Sequence, residues 1–185
     1  MEVVEINFED TYELLVTAPD LREATFNSYN KDGNPVLLKI QIDPPENPLL
    51  PNVYNLCFGP LKNDGTIDDT AQISHQDLNK VFSTIIFFSL TFLQENPNFT
   101  IGLDGSDDVR AYLYHRMFRS NKTSLDEYFM ALGVDWFVRL LRNDDYERNA
   151  DGFPFFKPRP EQFDYQRPAR DLYRYYMFYL RNNNM

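Results

Sequence analysis

The chain has 185 residues, 43% hydrophobic and 16% aromatic, which is enough to bury a substantial core and excludes a largely disordered chain. Its net charge of −10 argues against a broad nucleic-acid footprint, which needs clustered Lys and Arg. With one cysteine, Cys57, and two histidines, His75 and His115, it can build neither an intrachain disulfide nor a cysteine-rich or histidine-rich metal centre. No cofactor is expected, and a reducing cytoplasmic setting is.

The acidic start of the chain lacks the basic and apolar regions of a signal peptide. The most apolar segment, residues 81–93, is interrupted by Ser83, Thr84, Ser89 and Thr91 and is well short of the ~20 residues that cross a bilayer. No membrane association is expected. The first third reads as a strand meander over residues 12–17, 23–29, 36–42 and 53–61. Turn residues punctuate it, with Gly33 in the cluster 30–34, four prolines between 44 and 51, and Asn63-Asp-Gly65 after the fourth strand.

Ser74 to Asp77 forms a capping pattern for a helix over residues 77–95, and Pro97 closes it. Its apolar residues cover more than one face, so it is expected to be nearly engulfed. A strand over 99–103, a helix over 107–119, a helix over 124–132 stopped by Gly133, and a last strand over 136–141 follow. After Arg142 the composition turns polar, then aromatic and proline-rich, with a Tyr/Phe-rich helix expected over 170–181. The predicted architecture is α+β: a mainly antiparallel sheet of about five or six strands packed on a long central helix, with two smaller helices. Residues 1–142 form the domain and 143–185 an aromatic extension, docked or in an oligomer contact.

The run Val53-Tyr-Asn-Leu-Cys-Phe-Gly59 lies before the long helix, and Gly105-Ser106, Arg110 and Leu113-Tyr114 lie after it. Together with Gly65-Thr-Ile-Asp-Asp69, this order resembles domain of unknown function 6934, a bacterial family common in Bacteroidota, over roughly residues 12–142. The resemblance implies a small cytoplasmic α+β protein and brings no established activity. Asp107 and Asp108 after the Gly-Ser turn, and Tyr112 and His115 where the family pattern implies basic residues, are departures from it.

The segment 99–118 reads as strand, tight turn and helix, so Gly105, Ser106, Arg110, Tyr114 and Arg116 are candidate ligand-binding residues. Turn N–H groups and the Ser106 hydroxyl would hold an anion such as a small phosphate-bearing ligand, with Arg110 supplying charge. The competing and favoured reading makes Ser106 the helix cap and pairs Arg110 with a carboxylate, because Asp107 and Asp108 already complement the helix dipole and repel phosphate. Cys57 reads as packing and His115 as a polar surface residue. Asp68, Asp69, Asp104, Asp107 and Asp108 follow no metal-loop spacing. Arg170, Tyr173, Arg174 and Tyr176 form a candidate interaction surface for a protein partner or a second copy, with nucleobase stacking a weaker use.

These features predict a non-catalytic binding or interaction module, in a setting such as toxin–antitoxin or phage defence. The alternative is an enzyme acting on a nucleotide or nucleic acid at residues 105–114.

Overall fold

The computed structural model describes residues 3–68, 71, 73–105, 107–142 and 145–181. The chain runs β1 (Leu14–Thr17), β2 (Glu23–Tyr29), β3 (Pro35–Asp43), β4 (Val53–Pro60), α1 (Leu78–Glu95), β5 (Thr100–Asp104), α2 (Asp108–Ser120), α3 (Lys122–Leu125), β6 (Phe129–Phe137), β7 (Lys157–Gln162) and β8 (Tyr175–Leu180). The strands form one sheet in the order β1-β2-β3-β4-β5-β8-β6-β7. Only β4 and β5, joined by the α1 crossover, are parallel; the other neighbours are antiparallel. The fold is therefore α+β with a mostly antiparallel sheet.

Eight strands stand where five or six were predicted. The difference comes from residues beyond 142, which add β7 and β8 to the sheet. The helix predicted over 170–181 is instead a 3-10 turn, Ala169–Asp171, followed by β8. Tyr175-Tyr-Met-Phe-Tyr-Leu180 is apolar or aromatic without a break, and its central residues Tyr176, Met177 and Phe178 are buried. A strand buried on both faces has no alternation to reveal it, so such a run is ambiguous with a buried helix.

The helix predicted over 124–132 shrinks to the single turn of α3, and β6 begins at Phe129, replacing the strand predicted over 136–141. Gly133 does not stop a helix; it sits mid-strand, where the Tyr173 ring lies against it so closely that a Cβ would meet ring carbons at 2.3 Å. The edge strand β7 carries Pro158 and Pro160, which a strand with neighbours on both sides could not accommodate and which block pairing with another chain.

Helix α1 starts at the Asp77 cap, whose carboxylate accepts the Lys80 N–H at 2.9 Å. Phe82, Ile85, Phe88, Phe92 and Leu93 join the core built on Phe26, Leu38, Ile40, Ile42, Leu56 and Ile101. The buried polar positions of α1 also have partners. Residues 4–12 run along the helix, with the N–H groups of Asn7 and Tyr12 donating to Ser83 Oγ (2.9 Å) and Thr84 Oγ1 (2.8 Å). Asn121 extends the same strap, accepting the Ile6 N–H at 2.7 Å and donating to the Val4 carbonyl at 2.7 Å. Cover from the sheet and from this strap explains why the apolar residues of α1 spread beyond one face.

Because β8 lies between β5 and β6, truncation after Arg142 removes a shared neighbour of two strands. Losing the burial of Tyr176 and Phe178, worth ~1.5–3 kcal/mol each, against a total stability of ~5–15 kcal/mol should abolish cooperative melting. Circular dichroism checks this; a truncated chain that melts at the full-length temperature contradicts the pairing.

Candidate functional site

The parallel strands β4 and β5 stay in register only from Val53 opposite Thr100 to Asn55 opposite Gly102. Beyond that point β5 remains paired with β8 as far as Asp104 and then turns at Gly105 into α2, while β4 runs on to Pro60 beside β3. The parting strands leave a crevice of about 790 Å³ between the second half of β4 and the start of α2. Such openings at the carboxyl ends of parallel strands are where α/β sheets commonly take ligands.

Three structures close the crevice. Leu78, Val81 and Phe82 of α1 supply apolar wall, and α2 contributes Arg110, Leu113 and Tyr114. After β4 the chain makes a tight hairpin, with Leu61 bridged to Ile67 and Gly65 at φ 85°, that folds back over Gly59. A Cβ at Gly59 would lie 2.9 Å from the Asp68 carbonyl oxygen, so the glycine is what lets the hairpin approach. On the sheet side, Gln41, Asp43, Asn55 and Cys57 line the opening, with Asp104 at its far edge.

The candidate residues therefore separate. Arg110 and Tyr114 line the crevice. Gly105 packs behind it: its N–H donates to the Arg174 carbonyl at 3.0 Å and a Cβ there would meet the Tyr176 ring at 2.9 Å, so this N–H is not offered to an anion. Ser106 lies outside the described residues, and the cap of α2 is Asp107, whose carboxylate accepts the Arg110 N–H at 2.8 Å. The other oxygen of Asp107 pairs with Arg110 Nε at 3.1 Å, the carboxylate partner that the capping reading requires. Arg116 lies away from this group and lines a second, smaller cavity.

The predicted interaction surface does not form as a unit. Tyr173 and Tyr176 are both 0% exposed, as β8 and its approach are part of the core. Arg174 pairs with Asp108 at 2.6 Å, and Arg170 is exposed. His115 is also not a surface residue: it is 4% exposed, packed against Phe163.

Alternation along β3 and β4 could have revealed the residues that the sequence reading left out of the site. Leu38, Ile40, Ile42 and Leu56 point into the core, which puts Lys39, Gln41, Asp43, Asn55 and Cys57 on the opposite face. Tyr175 lies over Gly102 on that face and its hydroxyl donates to Asn55 Oδ1 at 3.3 Å.

The nucleophile chemistry is subdued. Burial, then the Asp43 and Asp104 carboxylates, push the Cys57 thiol above its ordinary pKa despite a 3.2 Å hydrogen bond from Asn55. His75 lines the crevice, yet its Nδ1 is spent on Ser28 Oγ at 3.0 Å, and Ser28 is fully buried. Burial likewise raises the Tyr114 hydroxyl pKa far above the usual range. Among the described residues no three His, Cys, Asp or Glu side chains gather as metal ligands, and no helix is long and apolar enough to cross a membrane.

An α+β chain with a mostly antiparallel sheet and a crevice at its one parallel junction is the class defined by this geometry. The chain belongs to a family of unknown function (DUF6934), whose model it matches over residues 8–153. That match takes in β1 to β6 and the crevice, and ends before β7 and β8. No curated protein and no solved structure matches the chain.

Two outcomes test these assignments. Asp107→Ala removes both the cap and the ion pair of α2 and should cost ~1 kcal/mol in chemical denaturation, within the range for lost caps. The second concerns pH. Burial lowers the pKa of His75, and burial with the nearby Arg119 lowers that of His115. The unfolded histidines, titrating near ~6.5, bind protons before the folded ones, so stability is unaffected above that pH and falls as pH drops below it. Melting temperatures between neutrality and mild acid should decline less steeply in His115→Phe than in the parent chain.

Proposed function

We propose that this protein is a non-catalytic module that binds a small organic molecule in the crevice between β4 and α2. The observation that carries this reading is the convergence of Asn55, Cys57 and Phe58 of β4 with Arg110, Leu113 and Tyr114 of α2 on a crevice of about 790 Å³, within the ~300–1,000 Å³ typical of ligand pockets. Its apolar wall suits the body of a ligand, while Asp43, Asn55 and Asp104 suit a polar head. Carboxylates outweigh cations around it: Asp43, Asp64, Asp68 and Asp104 face Lys39 and Arg110. Both cations have carboxylate partners, Lys39 with Glu23 at 3.2 Å and Arg110 with Asp107 at 3.1 Å.

That balance favours a cationic or neutral, hydrogen-bonding head over a phosphate, and it counts against a nucleotide-processing enzyme at this turn. A thiol held protonated and an imidazole engaged by a buried serine support binding over covalent catalysis. A protein partner is a second use with its own support, since Leu140 (79% exposed), Phe153 (68%) and Phe156 (57%) leave large apolar side chains in water on the arm between β6 and β7.

A thermal-shift screen comparing organic amines, uncharged polar compounds and nucleotides tests the binding reading. A ligand at about a hundredfold excess over its Kd stabilises by ~2.7 kcal/mol. The expected result is stabilisation by an amine or neutral compound that weakens about tenfold in Asp104→Asn, the loss of roughly one charge-assisted hydrogen bond. Stabilisation by a nucleotide alone, lost in Arg110→Ala, would overturn the proposal in favour of the nucleotide reading.

A further inference from the structure

The second half of α2 carries Tyr112, His115, Arg116 and Arg119 at spacings of three and four, which places them on one face of the helix. The segment leading into β8 folds across that face, and Arg167, Ala169 and Leu172 close a cavity of about 350 Å³. This space is separate from the crevice, since neither Arg110 nor Tyr114 lines it.

His115 forms part of its wall. The side chain is more than nine-tenths buried, at 4% exposure, and neither ring nitrogen has a hydrogen-bond partner among the described residues. An imidazole always carries at least one N–H, and a buried donor without an acceptor is destabilising enough to need an explanation, such as a bound ion or water.

The charge around the ring decides between candidates. Arg116 and Arg119 approach from α2, with the Arg116 guanidinium over the Tyr112 ring at 5.4 Å. Arg167 comes from the covering segment, lying over Tyr173 at 3.9 Å and held by Asp135 at 2.8 and 3.2 Å. Arg167 Nε donates to the Asp171 carbonyl, the Glu161 and Asp171 carboxylates each lie 3.5 Å from its guanidinium, and Asp164 is the carboxylate whose charge reaches the imidazole. Arg116, Arg119 and Arg167 line the same cavity as the unpartnered ring, so a cation or metal ion is disfavoured there. An oxyanion supplies acceptors to the ring N–H and to the arginines together.

We propose that this cavity is an anion site that takes a phosphate-class oxyanion between His115 and the guanidiniums of Arg116 and Arg119. Its volume suits a free phosphate ion or the end of a small phosphomonoester. Without an anion, burial and then Arg119 and Arg167 hold the imidazole neutral, with Asp164 opposing them. A bound dianion reverses that field, so the ring takes up a proton and donates from both nitrogens. Binding is therefore coupled to protonation of the ring.

Because the chain has only two histidines, their imidazole resonances can be titrated separately by NMR, and His75 serves as an internal control. Titrations are run in sodium phosphate and in sodium chloride at matched ionic strength. In phosphate the His115 pKa should rise by about one unit or more while that of His75 stays put. Arg119→Ala, a change at an exposed side chain that leaves the core untouched, should weaken phosphate binding about tenfold, as expected for one charge-assisted contact. Methyl phosphate separates the two sources: a response to both compounds assigns the site to phosphomonoesters as well, and a response to phosphate alone assigns it to the free ion. No response of His115 at tens of millimolar phosphate, a response matched by His75 or by chloride, or one unchanged in Arg119→Ala would overturn the assignment.

Discussion

The seat of α2 depends on one buried tyrosine. Tyr176, in the middle of β8, donates its hydroxyl to the Ala111 carbonyl at 2.7 Å, inside α2. Its ring lies edge-on to Tyr114 at 5.9 Å, stacks on Phe118 at 6.2 Å, and occupies the space where a side chain at residue 105 would point. The strand that carries it pairs with β5 on one side and β6 on the other. One residue thus couples the continuity of the sheet to the position of the helix that walls the crevice. Filling that space with a smaller side chain would leave a cavity, and removing the hydroxyl would lose the hydrogen bond that ties β8 to a carbonyl of α2.

The crevice follows from how the strands share their edges. A strand has only two, and β5 gives one to β8 from Ile101 to Asp104, which fixes the direction in which the chain leaves for α2. Its other edge meets β4 for only three residue pairs before the two chains diverge. The second half of β4 keeps β3 on one side and has the hairpin at residues 61–67 folded over it. Polar residues on the outward-facing positions of β3 and β4 then border an opening whose inner wall is core. The same geometry that parts β4 from β5 places Asn55 and Cys57 beside Asp43, so the chemical character of the opening is set by strand alternation.

Local pattern carried much of this fold, and its failures share a cause. The meander of β2, β3 and β4 shows alternation between turn residues, and α1 shows a cap and a helical period, so these elements were legible. Strand β8 was not, because burial on both faces erases alternation, and because its insertion between β5 and β6 is a pairing across the chain that no local window contains. Strand β6 was masked by the capping residues just before it, which form only the single turn of α3. At the site, only Arg110 and Tyr114 of the expected residues line the crevice, and the second half of β4 opposite them was read only as part of the family resemblance. The cap of α2 was read as Ser106, whereas it is Asp107, whose carboxylate accepts the Arg110 N–H; both residue types cap well and only geometry chooses. His115 was misread because its helical neighbours are polar, whereas its burial comes from Phe163, far along the chain.

Helix α2 has two chemically different ends. Asp107 and Asp108 stand at its first turn, where one is consumed by the cap and Arg110 and the other by Arg174. Their charge offsets the positive end of the helix dipole beside the crevice, which removes the main reason to expect a phosphate there. Tyr112 and His115 lie instead on the face toward the smaller cavity with Arg116 and Arg119. Were both positions basic, four cations would crowd one helix face and repel one another across its turns. A neutral aromatic ring at 112, with the Arg116 guanidinium over it, and a titratable ring at 115 relieve that repulsion while leaving positive charge on the face. The acidic turn and the arginine-bearing face thus give the helix two ends of opposite charge, and the buried imidazole of His115 sits at the second.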